Sequence, residues 1–188
     1  MVRAIAVVAV LLSGPGLAPA LAQTAQPYAA LTDRPIKALS EQQVADLRAG
    51  RGMGLALPAE LNGYPGPLHV LESADALALT PEQRARTKAL FEAMKAEAVP
   101  LGERLIREEA ELDGLFASKA VKPTSLEAAT NAIGTTQGQL RAAHLRYHLA
   151  MLDVLTTDQV RRYSEARGYG AGGGAPASRQ HGHGTHRP

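Results

Sequence analysis

The sequence predicts an all-α protein, and three observations carry that prediction. Alanine, leucine, glutamate and arginine dominate, aromatics are 4% of residues and tryptophan is absent, so the residues that strands favour are scarce. Apolar residues recur every three to four positions over two long stretches, the period of a helix with one buried face. Three segments also read L-[ST]-x-x-Q: Leu39-Ser40-Glu41-Gln42-Gln43, Leu79-Thr80-Pro81-Glu82-Gln83 and Leu155-Thr156-Thr157-Asp158-Gln159. In each, a hydroxyl can cap a helix start while the glutamine reaches back to the capping residue. The architecture expected is a kinked long α-hairpin with short flanking helices, an extended N-terminal arm and a disordered C-terminal tail.

Residues 1–22 have the grammar of a secretory signal peptide: Arg3, an apolar run from Ala4 to Leu12, and Ala20-Leu21-Ala22 as a small-x-small end. The run is too short to span a bilayer, and no later segment is apolar enough to do so. The expectation is export to the periplasm, cleavage after Ala22 and no membrane span in the mature chain.

Residues 23–67 read as an extended Pro/Gly-rich arm with one short helix. That helix runs from Ser40 to Ala49, with Ser40 and Gln43 as its capping box, Val44 and Leu47 on one face and Gly50 as terminator. Gly50 to Pro67 holds five glycines and three prolines. A helix precedes this stretch where a phosphate loop would have a strand, and no Lys-[ST] follows. A segment wrapped over the helical core is the expected form.

Residues 68–169 read as the helical domain. His69 to Leu77 forms a short helix, with Leu68, Leu71 and Leu77 as core candidates. Thr80 caps the first long helix and Pro81 takes its first position, where a missing N–H costs nothing. Leu90, Met94, Ala98, Leu101, Leu105, Leu112 and Leu115 mark its buried stripe, and Pro100 inside it predicts a kink or two helices in series. Thr124 or Ser125 caps the second long helix, which keeps Leu126, Ala129, Ile133, Leu140 and His144 on one side. Gly134 and Gly138 dilute its middle and permit a close helix approach. The last helix runs from Thr157 to Gly168. Residues 170–188 have nothing to bury, hence the disordered tail. A lone hairpin this thin buries too little surface, so a homodimer or wrapping by the arm is expected.

Charge and cysteine usage narrow the function. With 20 basic and 18 acidic residues and no cysteine, the chain has no clustered basic face for nucleic acid, no disulfide and no thiolate metal site. No nucleophile–base order or inward carboxylate pair assembles, so no enzymatic activity is expected.

Two L-T-x-x-Q motifs, Leu79/Thr80/Gln83 and Leu155/Thr156/Gln159, flank a long helix and its return in an exported, cysteine-free chain. In this the sequence resembles the periplasmic Spy/CpxP family and its CnrX-like and ZraP-like heavy-metal sensor relatives, over roughly Leu68 to Tyr169. The resemblance implies a curved four-helix protomer paired into a cradle-shaped dimer. It implies either an ATP-independent chaperone and stress-response role or the binding of nickel, cobalt or zinc, and no enzymatic role.

For metal, the resemblance directs attention to histidine and methionine on helices. His144 and His148 stand four residues apart, so both rings project from one helix face and can clamp an ion, with Met151 three residues on. His69 and Glu72 complete the set if their helix packs against the second long one. Imidazole suits zinc, nickel, cobalt and copper, while a thioether tilts toward copper(I). The sensor relatives carry a further His-x-x-x-His near the mature N-terminus, where only His69 stands here. The competing reading makes His144 and His148 seam or dimer-interface residues and Met151 core filler. The tail residues His181, His183 and His186 form a His-rich tract that collects metal weakly.

Two functions remain open. One is a metal-binding sensor or resistance accessory holding a divalent transition metal through His144, His148, Met151 and His69, with no organic cofactor and a membrane-bound signalling partner. The other is a holdase for unfolded clients, with Arg84, Arg86, Arg104 and Arg107 adding electrostatic attraction.

Overall fold

A computed structural model of the chain describes residues 28–169. The expected signal peptide and the expected disordered tail lie outside these residues. Among the described residues every regular element is a helix. One 3-10 turn, Ala29–Leu31, belongs to a short separate unit that ends at Thr32. The rest, from Asp33 onward, forms the second unit and carries six α-helices.

Helix α1 is Glu41–Arg48, and Ser40 and Gln43 close its capping box in both directions. Its end is a Schellman motif: Gly50 takes φ +66° and donates to Leu47, while Arg51 donates to Asp46. The following segment holds a second short helix where the sequence led us to expect none. Helix α2, Leu57–Glu60, places Pro58 in its first turn, a position where proline lacks only an N–H the helix would not use. Helix α3 is Pro67–Glu72, shorter than expected, and its core residue is Val70 rather than the exposed Leu68.

Helix α4, Pro81–Ala117, is 37 residues long, about 55 Å at 1.5 Å per residue. It runs through Pro100 as one element, so two helices in series is not what forms. Pro100 leaves the Ala96 carbonyl without its helical donor, but both residues face solvent, where water can take that carbonyl. Burial on either side, at Ala98, Gly102, Leu105 and Ile106, holds the helix together.

Lys119, at φ +55°, turns the chain after α4. Helix α5 spans Pro123–Met151 and is capped by Lys122, not by Thr124 or Ser125. Pro123 takes the first helical position, which moves Ser125 to the third, where its hydroxyl accepts from the Lys122 N–H at 2.9 Å. The two long helices lie along each other, with Glu97 of α4 accepting from Arg146 at 2.6 Å and from the Tyr147 hydroxyl at 2.5 Å. Helix α6, Thr157–Ala166, closes the described chain.

Two apolar clusters hold this arrangement. One joins Leu47 of α1 to Ala98, Leu105, Ile106, Ile133 and Leu140. The other joins Val70, Ala74, Leu77 and Leu79 to Met151, Val154, Leu155 and Tyr163. Along α5 the first cluster ends at Leu140 and the second begins at Met151, which leaves His144 and His148 between them.

The close approach in the fold is at Gly102, not at the two glycines of α5. A Cβ at Gly102 would lie 2.4 Å from the Leu47 carbonyl oxygen, whereas one at Gly134 or Gly138 would meet nothing within 4 Å. The end of α1 therefore rests directly on the α4 backbone.

The two L-T-x-x-Q motifs meet through their glutamines. Gln83 and Gln159 each close a capping box, accepting from the backbone N–H of Thr80 and Thr156 respectively. Their amides also pair with each other, at 2.8 Å one way and 3.0 Å the other. The remaining N–H bonds go to the Val154 and Leu77 carbonyls. Leu79 and Leu155 lie buried in the apolar cluster beside them. The starts of α4 and α6 are thus one hydrogen-bonded unit.

Candidate metal centre

Between the two apolar clusters lies a cleft of about 550 Å³. His69, His144 and His148 all line it, together with Glu60, Met53 and Met94. The i, i+4 spacing on α5 brings His144 and His148 to one face, as read from the sequence, and both are buried, at 3% and 7% exposure.

The surroundings of His148 fix its tautomer. Its Nδ1–H donates to the Tyr64 carbonyl at 2.7 Å, so in the neutral ring the lone pair is on Nε2, the arrangement in which histidines bind metals. That edge of the ring lies over Gly66, where a Cβ would come within 3.0 Å of Nε2 and 2.8 Å of Cε1. His144 packs against Gly52, and its Nε2 is buried with no hydrogen-bond partner. A polar atom left so costs about 1–3 kcal/mol, a debt that a ligand would remove.

Glu60, 7% exposed on α2, supplies a carboxylate that the sequence reading missed. Its Oε1 accepts from the Tyr163 hydroxyl of α6, with Arg167 Nε at 3.8 Å. Its Oε2 lies 3.6 Å from His148 Nδ1 and has no hydrogen-bond partner. Burial, the bond to Glu60 and the charge of Glu60 push the Tyr163 phenol far above its usual range, so it is a fixed donor. Nothing in the sequence marked Glu60, a single acidic residue in a segment without periodicity.

His69 lies at the rim, its Nδ1 2.9 Å from Glu72 Oε2 and its side chain 37% exposed. Met151 is placed differently from the other three candidates. It is fully buried in the apolar cluster with Val70 and Leu77 and does not line the cleft. Three residues carry it around α5 to the neighbouring face, and the thioethers at the cleft are instead Met53 and Met94.

Among the described residues no three histidine, aspartate or glutamate side chains converge on one point. The donor chemistry nonetheless fits a borderline transition-metal ion: two imidazoles, one with its Nδ1 proton committed to a carbonyl, one with a buried nitrogen that has no partner, and a carboxylate oxygen 3.6 Å from His148 Nδ1. The fit is to two anchoring nitrogens in an open site.

A family model described as heavy-metal resistance matches residues 53–162. The chain belongs to the heavy-metal resistance family. This family includes the Spy/CpxP-like and ZraP-like periplasmic proteins, so the resemblance carried by the two L-T-x-x-Q motifs is correct at that level. Comparison with curated proteins and with solved structures found no match. The segment matching the heavy-metal resistance family begins in the cleft wall at Met53 and contains Glu60, His144, His148 and both motifs. It excludes α1. No helix among the described residues is long and apolar enough to cross a membrane.

The cleft gives stability a pH dependence. Burial, and secondarily the charge of His148, pushes His144 below its usual range. Unfolded, it takes up a proton near pH 6.5. Its contribution is therefore fully present above about pH 6.5 and is lost as pH falls from there toward the folded value. Urea midpoints should be flat from pH 8 to 7 and fall below 6.5, and His144→Gln should fall less steeply over that window. Equal slopes in the two proteins would contradict this.

Proposed function

We propose that this chain is an exported metal-binding protein of the heavy-metal resistance family. It holds a divalent ion of the zinc, nickel, cobalt or copper type at the α5 face of the cleft. One observation carries the reading: His144 Nε2 is buried without a partner, beside a His148 whose tautomer presents its lone pair. His144 and His148 are the anchors, and Glu60, whose Oε2 lies 3.6 Å from His148 Nδ1 and has no hydrogen-bond partner, is the candidate third donor. The ion would supply charge and coordination geometry. The chain's own part is to keep both imidazoles oriented and shielded from bulk water. We read the role as sensing or sequestration in the periplasm, not as catalysis. The Glu60–Tyr163 bond connects the cleft to α6, so a shift of Glu60 toward an ion would be felt at that helix. Pairing as a homodimer and relay to a membrane-bound partner belong to the same proposal.

Titration calorimetry of the mature chain with zinc, nickel, cobalt and copper tests it. Expected is one ion per chain, weakened at least about 100-fold by His144→Gln/His148→Gln, since even outer-shell partners of such ligands change affinity 10–100-fold. Unchanged tight binding in that variant, with its helicity retained, would remove the site.

A second reading, a holdase, has one observation in its favour. Leu149, Leu61, Phe116 and Leu57 are each more than half exposed, at 59%, 56%, 54% and 52%. Suppression of client aggregation that is indifferent to His144 and His148 would support it over the metal reading.

A further inference from the structure

The charges around the cleft are unlike those of a site built for a bare cation. Arg51, Lys95 and Arg167 line it, against the single carboxylate of Glu60. Arg51 pairs with Asp46 at 2.5 Å, and Arg167 Nε lies 3.8 Å from Glu60. Lys95 has no carboxylate partner among the described residues, and its ammonium lies 5.7 Å from the Phe91 ring centre. Histidines that ligate an ion are uncharged. A divalent ion on His144 and His148 would therefore add two positive charges to surroundings that are already positive, and like charges repel.

The space is also larger than an ion needs. A volume of about 550 Å³ falls in the range of roughly 300–1,000 Å³ that seats small organic ligands. At about 30 Å³ per water, an ion with two or three waters leaves most of it unfilled. Met53, Leu57, Leu68, Phe91 and Met94 give the cleft an apolar wall. Coordination is incomplete as well. His144 and His148 fill two positions of a four-coordinate ion and Glu60 at most a third, so one or two are left for a donor from outside the chain.

We infer that the cleft takes its ion together with a small polycarboxylate chelator. Carboxylate oxygens complete the coordination, the negative charge is met by Lys95 and Arg51, and the hydrocarbon body lies against the apolar wall. The inference rests on the metal reading above and adds to it the class of the second ligand. Each feature selects against a different alternative. A neutral amine would leave the positive charges uncompensated, and an inorganic oxyanion has no carbon body for the apolar wall. A polycarboxylate satisfies both, and the planar fork of Arg51 suits a carboxylate in particular.

The test is equilibrium dialysis of the mature chain at fixed free Co²⁺, with radiolabelled citrate as the probe. Ion and citrate per chain are counted, and the visible absorption of Co²⁺ reports any change in its coordination. For the native chain the expected result is one ion and one citrate, with citrate held at least tenfold more tightly when the ion is present. By reciprocity citrate should tighten the ion by the same factor. Arg51→Gln/Lys95→Gln should bind the ion alone as the native chain does, yet hold citrate at least about tenfold more weakly, the effect of losing charge-assisted hydrogen bonds. Lys95→Arg, which keeps the charge, should stay near the native value. His144→Gln/His148→Gln should lose ion and citrate together. Circular dichroism checks that each variant keeps its helices.

One ion bound with no citrate retained leaves water in the open positions: the inference fails and the metal reading stands. No ion bound, with or without citrate, overturns both. Citrate held equally well without the ion makes the cleft a plain anion site and overturns the inference. A ternary complex that Arg51→Gln/Lys95→Gln does not weaken places the carboxylates elsewhere, which also overturns it. Pyrophosphate retained as tightly as citrate would show that the carbon body is not recognised, and the polycarboxylate assignment would fall.

Discussion

Replacing Gln159 with leucine is expected to lower stability by about 3 kcal/mol, the sum of one buried and two part-buried orphaned partners at roughly 1–3 kcal/mol each less the gain from an apolar side chain. Gln159 is 8% exposed, and all of its amide valences are used. It accepts from the Thr156 N–H and from Gln83, and donates to Gln83 and to the Leu77 carbonyl. Leucine leaves the buried Leu77 carbonyl without a partner, together with the Thr156 N–H and half of the Gln83 amide at the part-buried edge of the pair. For a chain of this size the loss is a fall in Tm of about 6–12 °C. Gln83→Leu should cost a similar amount. The double variant should cost clearly less than the two together, because neighbours in one network are not additive. Additive losses, measured by urea unfolding, would mean that the two capping boxes act separately.

Gly102→Ala is expected to cost about 2–3 kcal/mol, the upper range for overpacking a tight contact. The new methyl would lie 2.4 Å from the Leu47 carbonyl oxygen. That atom belongs to backbone, so the end of α1 has to lift off α4. Gly134→Ala, in the partner helix, carries the opposite sign. With nothing within 4 Å of its Cβ position, alanine should stabilise by about 1 kcal/mol through helix propensity alone. Chemical denaturation of both variants decides the matter. A Gly102→Ala protein as stable as the native one would show that α1 is not seated on α4 as described.

These two cases also show what could be read from the sequence. The capping boxes at Ser40, Thr80 and Thr156 were legible because each is complete within four residues. The pairing of Gln83 with Gln159 was not, because 76 positions separate them and no local pattern records which glutamines will meet. The glycines were misassigned for the same reason. Gly134 and Gly138 looked like points of close approach from their spacing, yet whether a glycine is needed depends on what lies opposite, and only Gly102 has a backbone there. His144 and His148 could be placed on one face by helical pitch, and the structure brings both to the cleft. Met151 failed by one step of the same pitch. Glu60 had no signal at all, since its role arises from Tyr163 on a helix that lies 103 residues later.

That long separation has a consequence for how the protein comes into being. The cleft takes Glu60 from an early segment and His148 from far later, and Glu60 is held by Tyr163 from near the end, with sequence separations of 84 for Tyr64 and His148 and 103 for Glu60 and Tyr163. During synthesis the α4–α5 pair can zip once its short turn has emerged. The contact of Glu60 with Tyr163 of α6 has to wait for almost the entire polypeptide. Enclosure of the two imidazoles is therefore a property of the nearly finished chain: a nascent or prematurely terminated copy carries His144 and His148 on a helix without the contacts that Glu60 makes to Tyr163.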